Sequence, residues 1–277
     1  MTDAPTITPP ERKDTTMKIE SKTTTEQPRP RLKGGKPIII SCPMSEAQRA
    51  LQTEVEQRGD RLRHEDVDPR EDNALAVTTD CRKLALDARL LSATATDFPG
   101  SKINALVENV ADIWQRTAPE RSTQLICCDM GVHPTAWGYS VYQEIIDKLV
   151  AHGLPRAEIA TLGEANTVTK KQALFEQVRH GTIRVLLGST PKLGTGTGVE
   201  NRLVALHHLD VPWKPDALAE IAPRDTGILS PKNTNEEVAI YRYMTEGSVD
   251  TYLWQTLETK ARFHAQRKTG DSTVPLR

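Results

Sequence analysis

Between residues 182 and 215 the chain reads TIRVLLGSTPKLGTGTGVENRLVALHHLDVPWKP, and Gly194, Gly196 and Gly198 alternate there with Thr195 and Thr197. Glycine lacks the Cβ that would hold a ligand off, so amides and hydroxyls in such a loop can approach a phosphate or a nucleic-acid backbone closely. The same pattern also suits a purely structural tight turn. Two better-defined phosphate motifs are excluded. A dinucleotide fingerprint sets GxGxxG tight against a strand and opens a helix, whereas here six residues separate Leu187 from Gly194 and a second strand pattern follows. A phosphate-cradling GxxxxGK followed by Ser or Thr occurs nowhere in the 277 residues.

Other reactive side chains point to packing. His207 and His208 lie beside Asp210, but consecutive side chains on a strand face opposite ways, which argues against a metal pair. Tyr241, Tyr243, Tyr252 and Trp254 could stack on bases, yet their strand and helix periodicity favours core positions. Glu236 and Glu237 suit a solvated turn. Cys42, Cys81, Cys127 and Cys128 lack metal-ligand spacing, and the adjacent pair falls inside an apolar strand pattern, so buried thiols in a reducing compartment are expected.

The elements that must position the loop follow from periodicity. Ile183 to Leu187 and Leu203 to Leu209 have the length and branching of strands covered on both faces. Upstream, Ile38 to Cys42 predicts a short strand, and Ser45 with Gln48 predicts a capping box opening a helix from Glu46 to about Gln57. Residues 58–80 are charged and punctuated by Gly59 and Pro69, which predicts irregular structure, and Leu84 to Leu91 predicts another short helix. From Ser101 the spacing of Ile103, Leu106, Val107, Val110 and Trp114 gives a helix with one apolar face. Strands are expected at Gln124 to Cys128, Ile159 to Leu162 and Val238 to Met244. Helices are expected at Val141 to Ala151, at Lys170 to His180 and from Val249 to about Ala265, with Gly153 as a C-cap and Gly181 as a stop. Strands alternating with helices in this order predict an α/β fold with a mostly parallel sheet covered on both faces, whose ligands gather at the carboxyl ends of the strands.

Composition bounds the rest. Residues 1–33 hold prolines, threonines and charges with almost no large apolar side chains, so a disordered tail is expected through residue 36. The 36 basic residues nearly balance the 37 acidic ones, so binding of a polyanion would need a local basic face. The N-terminus has no apolar signal region and no segment approaches a membrane span, which predicts a cytoplasmic protein without a membrane partner.

Several separate stretches agree, in order and spacing, with one known family. SKINALVENV (101–110), QLICCDM (124–130), KKQALFEQVRHGTIRVLLGSTPKLGTGTGV (170–199), HHLDVPWKP (207–215) and YRYMTEGSVDTYLWQTLETKARF (241–263) resemble the C-terminal RecA-like lobe of Swi/Snf-type superfamily-2 helicases. They are most similar to the helicase part of DNA methylase/helicase proteins carried on conjugative elements and phages. The resemblance covers roughly residues 37–265. It implies a segment joining two helicase lobes at 37–99, the lobe itself at 100–265 and a polar tail at 266–277.

In that family the first lobe carries the Walker A lysine and the carboxylates that bind ATP and magnesium, while the second lobe closes over the nucleotide and supplies arginines. The resemblance thus implies ATP and magnesium only in company with a first lobe, which a separate partner polypeptide could carry, and DNA as the other partner. Gly194, Thr195 and Gly196 correspond to the loop coupling nucleotide to DNA, and Thr190 and Lys192 become candidates for DNA-backbone contacts. The chain departs from the pattern in 216–233, where the family has QRxGRxxR. Aligned forward from Trp213 or backward from NEEVAIYRY, only Arg224 survives as an arginine-finger candidate, and Gly227 replaces another arginine. Losing such an arginine costs roughly a thousandfold in rate. Gly198 and Glu200 also stand where the family usually has asparagine and often glutamine. The implied function is the lobe of a DNA helicase or translocase that is inactive as an ATPase alone; the alternative is a DNA-binding or partner-docking module completing a split helicase.

Overall fold

The computed structural model describes residues 29–193, 198–212 and 228–269, with side chains through residue 259. Its strands are β1 (Arg31–Leu32), β2 (Ile38–Cys42), β3 (Thr123–Cys127), β4 (Ile159–Thr161), β5 (Val185–Gly188), β6 (Leu203–His208) and β7 (Glu237–Thr245). The helices are α1 (Glu46–His64), α2 (Ala74–Leu86), α3 (Lys102–Arg116), α4 (Val141–Ala151), α5 (Val168–Arg179) and α6 (Val249–Thr269). Among the described residues all strand pairs are parallel, in the order β1-β7-β6-β3-β5-β4, with β2 also on β7.

Period-two alternation along each central strand feeds two cores. Ile126, Val185, Leu187, Ala205, Tyr241 and Tyr243 pack under α3 and α4. Leu125, Cys127, Leu186, Leu206, Val238 and Ile240 face α5. The neighbouring thiols of Cys127 and Cys128 accordingly sit in opposite cores, and all four cysteines are free. Side chains at the helix starts satisfy amides that have no partner within the helix. Ser45 and Gln48 form the expected reciprocal box, and Asn73, Ser101, Ser140 and Thr167 cap α2, α3, α4 and α5. Gly153 and Gly181 take positive φ at 93° and 72°, as helix-ending glycines do.

Three expectations need correction. Within the tail expected through residue 36, Arg31–Leu32 form a strand that continues the parallel edge of β7 beside Glu237–Val238, and Leu32 packs on the α5-side core. The region 58–80 is mostly helical. The charges that made it look irregular pair between α1 and α2: Arg58 donates from Nε and Nη2 to Asp72 (2.8 and 2.9 Å) and from Nη1 to Asp80 (2.8 Å). The helix expected at 84–91 is the end of α2, broken at Asp87, whose carboxylate accepts the Arg89 N–H at 2.8 Å and starts a single 3-10 turn.

The ends of the fold are joined by a buried ion pair. Lys102, at the start of α3, donates to Asp250 Oδ2 at 2.7 Å, and the same oxygen accepts the Thr245 N–H at 3.0 Å. Removing one partner leaves the other charge buried and uncompensated. Lys102→Met is expected to destabilise the fold by about 3–5 kcal/mol in urea unfolding.

Candidate nucleic-acid interface

Beyond their carboxyl ends, β3, β5 and β6 lose lateral strand partners, and two carboxylates replace them. Asp210, just after β6, is buried and accepts the Asp129 N–H (2.9 Å to each oxygen) and the Met130 N–H (3.0 Å). Asp129, just after β3, in turn accepts the Thr190 N–H beyond β5 on its Oδ1. Three strand ends are thus tied in series. Burial and the neighbouring Asp129 charge push the Asp210 carboxyl up to about 7, against the pull of the backbone N–H donors, Lys102 and Arg82.

The turn after β5 folds tightly. Lys192 N–H and Leu193 N–H both donate to Ser189 O at 3.0 Å, and Leu193 is buried in the α5-side core. A Cβ on Gly188 would meet Leu193 Cγ at 2.7 Å, so glycine is required for this close approach. Beside the turn lies a cleft of about 450 Å³, whose lining includes His133, Ser140, Arg156, Gly163, Ser189 and Lys192. The post-β3 wall of the cleft passes Gly131, at φ +67°, where a Cβ would sit 2.3 Å from Val141 Cγ2 at the start of α4. Arg156 is half exposed and donates to Ile159 O (2.6 Å) and Glu164 Oε1 (2.9 Å). Lys192 is exposed.

The candidates from sequence are distributed unevenly. Of the two DNA-contact candidates, Lys192 reaches the cleft, whereas Thr190 is fully buried and meets Asp129 through its backbone. Gly194, Thr195, Gly196 and Arg224 lie outside the described residues. Gly198 takes φ +62° and its carbonyl accepts from Arg179 Nη1 at 3.3 Å. His207 and His208 part to opposite faces, as alternation requires. His207 is buried between Gln124 Oε1 and Tyr243 Oη, each at 3.0 Å, and burial with the His208 charge lowers its pKa to about 3. Neutral His207 then donates Nε2–H to Gln124 and accepts the Tyr243 hydroxyl proton at Nδ1. His208 meets Trp254 edge-on. Tyr241, Tyr243 and Trp254 are core residues; Tyr252 is exposed. Among the described residues no group of three or more His, Cys, Asp or Glu could hold a metal, and no helix is long and apolar enough to cross a membrane.

Sequence reasoning missed Asp129, Asp210, His133 and Arg156 as parts of one site. A signal for Asp129 was present, since it is the first acidic residue after a buried strand in a sheet whose ends gather ligands. Asp210 stands two residues after His208, and no spacing along the chain ties it to Asp129.

The architecture has solved counterparts. The chain is similar to the C-terminal part of the Fun30 ATPase domain, with a TM-score of 0.57 at 13% identity over 82% of this chain and 89% of that one. It is equally similar to the Sulfolobus solfataricus SWI2/SNF2 ATPase core in complex with dsDNA, with a TM-score of 0.57 at 17% identity over 82% of this chain and 44% of that one. The C-terminal domain of the Sulfolobus solfataricus SWI2/SNF2 ATPase gives 0.53 at 13% identity, over 81% and 85%. No family model matches the chain, and no characterised protein matches its sequence. At these identities the likeness defines the fold: a RecA-like α/β lobe of the Swi2/Snf2 C-terminal type.

The raised Asp210 pKa gives a signed pH dependence. Its folded value exceeds the unfolded 3.8, so the native state binds the proton more tightly and stability contributed by this group falls as pH rises from about 4 through about 7. The groups facing it are Asp129, the Cys128 thiol, Lys102 of α3, Arg82 of α2 and Tyr142 of α4. Melting temperatures of wild type and Asp210→Asn, measured from pH 5 to pH 8, are expected to shift in favour of the variant as pH rises. A difference independent of pH would contradict the assignment.

Proposed function

We propose that the chain is the C-terminal lobe of an ATP-dependent DNA helicase or translocase and contacts the DNA backbone through the cleft beyond β3, β4 and β5. The supporting observation is the placement of exposed Lys192, with Arg156 and His133, around a cleft at the strand ends of a lobe whose fold is also found in a Swi2/Snf2 core bound to dsDNA. Phosphate contacts of this kind position a protein without reading sequence, which suits a translocating motor. The motif resemblance favours kinship with the methylase/helicase proteins of mobile elements, acting in the cytoplasm.

The described residues do not by themselves fit ATP and magnesium. The carboxylates at the strand ends accept backbone amides, and the sequence contains no GxxxxGK followed by Ser or Thr. The nucleotide accordingly belongs with a first RecA-like lobe, and the residues of this lobe alone do not hydrolyse ATP. The alternative is a DNA-binding or partner-docking module that completes a split helicase whose first lobe lies on a separate polypeptide.

Fluorescence anisotropy with a short duplex at low salt tests the DNA reading. Binding is expected to weaken as salt rises, and Lys192→Ala is expected to lower affinity uniformly across sequences and reduce the salt slope by about 1. Absence of binding at low salt would overturn it. Robust DNA-stimulated ATPase activity of the purified chain would overturn its inactivity without a first lobe.

A further inference from the structure

The turn that carries Lys192 is fixed from a distance. Thr190 N–H donates to Asp129, whose own N–H donates to Asp210 together with that of Met130. Asp210 sits immediately after β6 and before Val211, whose carbonyl accepts Arg82 Nη2 of α2 at 2.9 Å. A path of hydrogen bonds, joined through the backbone between Val211 and Asp210, therefore runs from α2 through the ends of β6 and β3 to the turn after β5.

Ionised carboxylates are an expensive way to stitch backbone in a buried place, because desolvation penalises the charge. They offer what no neutral side chain offers: two acceptor oxygens and no donor, so one residue can hold two successive N–H groups. Asparagine at 210 would present an NH2 where an N–H already points. We infer that Asp129 and Asp210 are positioning residues, a two-carboxylate relay that transmits the conformation of the β6 end and α2 to the turn presenting Lys192. The consequence for function rests on the proposed DNA contact at that cleft; the relay itself does not. A change in the chain beyond Pro212, or in the packing of α2, reaches the cleft through these amides.

Backbone amide exchange measured by NMR on the full chain tests the relay directly. Asp129→Asn, which leaves a neutral oxygen in place of the charged acceptor, is expected to accelerate exchange at Thr190 by about 5- to 10-fold, the difference between hydrogen bonds to a charged and to a neutral acceptor. Asp210→Asn is expected to accelerate Asp129 and Met130 and, although it touches neither atom of that bond, Thr190 as well. Unchanged Thr190 exchange in Asp210→Asn would overturn the inference. A double-mutant cycle gives a readout that general destabilisation does not move: Lys192→Ala should cost DNA affinity in wild type and nearly nothing in either aspartate variant. An equal cost in all backgrounds would also overturn the relay. Should Asp210→Asn fail to fold by circular dichroism, the half-buried Asp129→Asn and its cycle with Lys192→Ala decide. If wild type binds no DNA, the functional proposal falls while amide exchange still judges the relay.

Discussion

A parallel sheet buried on both faces leaves little of its backbone within reach except at the strand ends, and that constraint shapes everything else in the lobe. Laterally, each central strand spends its amides and carbonyls on its neighbours; above and below, α3, α4 and α5 cover alternate side chains. At the carboxyl ends the ladder stops while the chain is still partly buried, and amides there need acceptors. Asp129 and Asp210 meet that need, and the same interruption opens the cleft that Lys192 overlooks.

Charge buried in this fold is confined to places where geometry compensates it. Lys102 and Asp250 tie α3 to the β7–α6 corner, adding an ion pair to the β2–β7 strand pairing that also joins early and late parts of the chain. Arg184 is buried beside β5 and donates to Ser122 O, Trp114 O and Thr117 Oγ1, with burial holding its pKa below the usual value. These groups fix which element lies against which, a role apolar side chains of similar size would fill less specifically. The near-neutral total charge conceals this arrangement, because basic character matters only where it is exposed, as at Lys192.

The regular parts of the fold were legible wherever a local rule is strong. Short, largely apolar runs located β3, β5, β6 and β7, apolar spacing located α3 and α4, and the Ser45–Gln48 box located the start of α1. Local rules failed where partners are distant. Arg58 completes α1 and α2 through residues 14 and 22 positions away, so a window of sequence saw only scattered charge. Arg31–Leu32 became a strand because β7, some two hundred residues later, offered an open edge.

By itself the sequence determined the order of strands and helices from α3 onward, the separation of His207 from His208 and of Cys127 from Cys128, and the glycine positions that end helices. Each of these depends on backbone periodicity or on the conformational freedom of one residue type. The tertiary structure alone decided which loop residues meet. It buried Thr190 while leaving Lys192 exposed two positions on, and it brought Asp129 and Asp210, 81 residues apart, into one chain of hydrogen bonds. Such pairings depend on how strands are ordered across a sheet, and no spacing along the chain records that order.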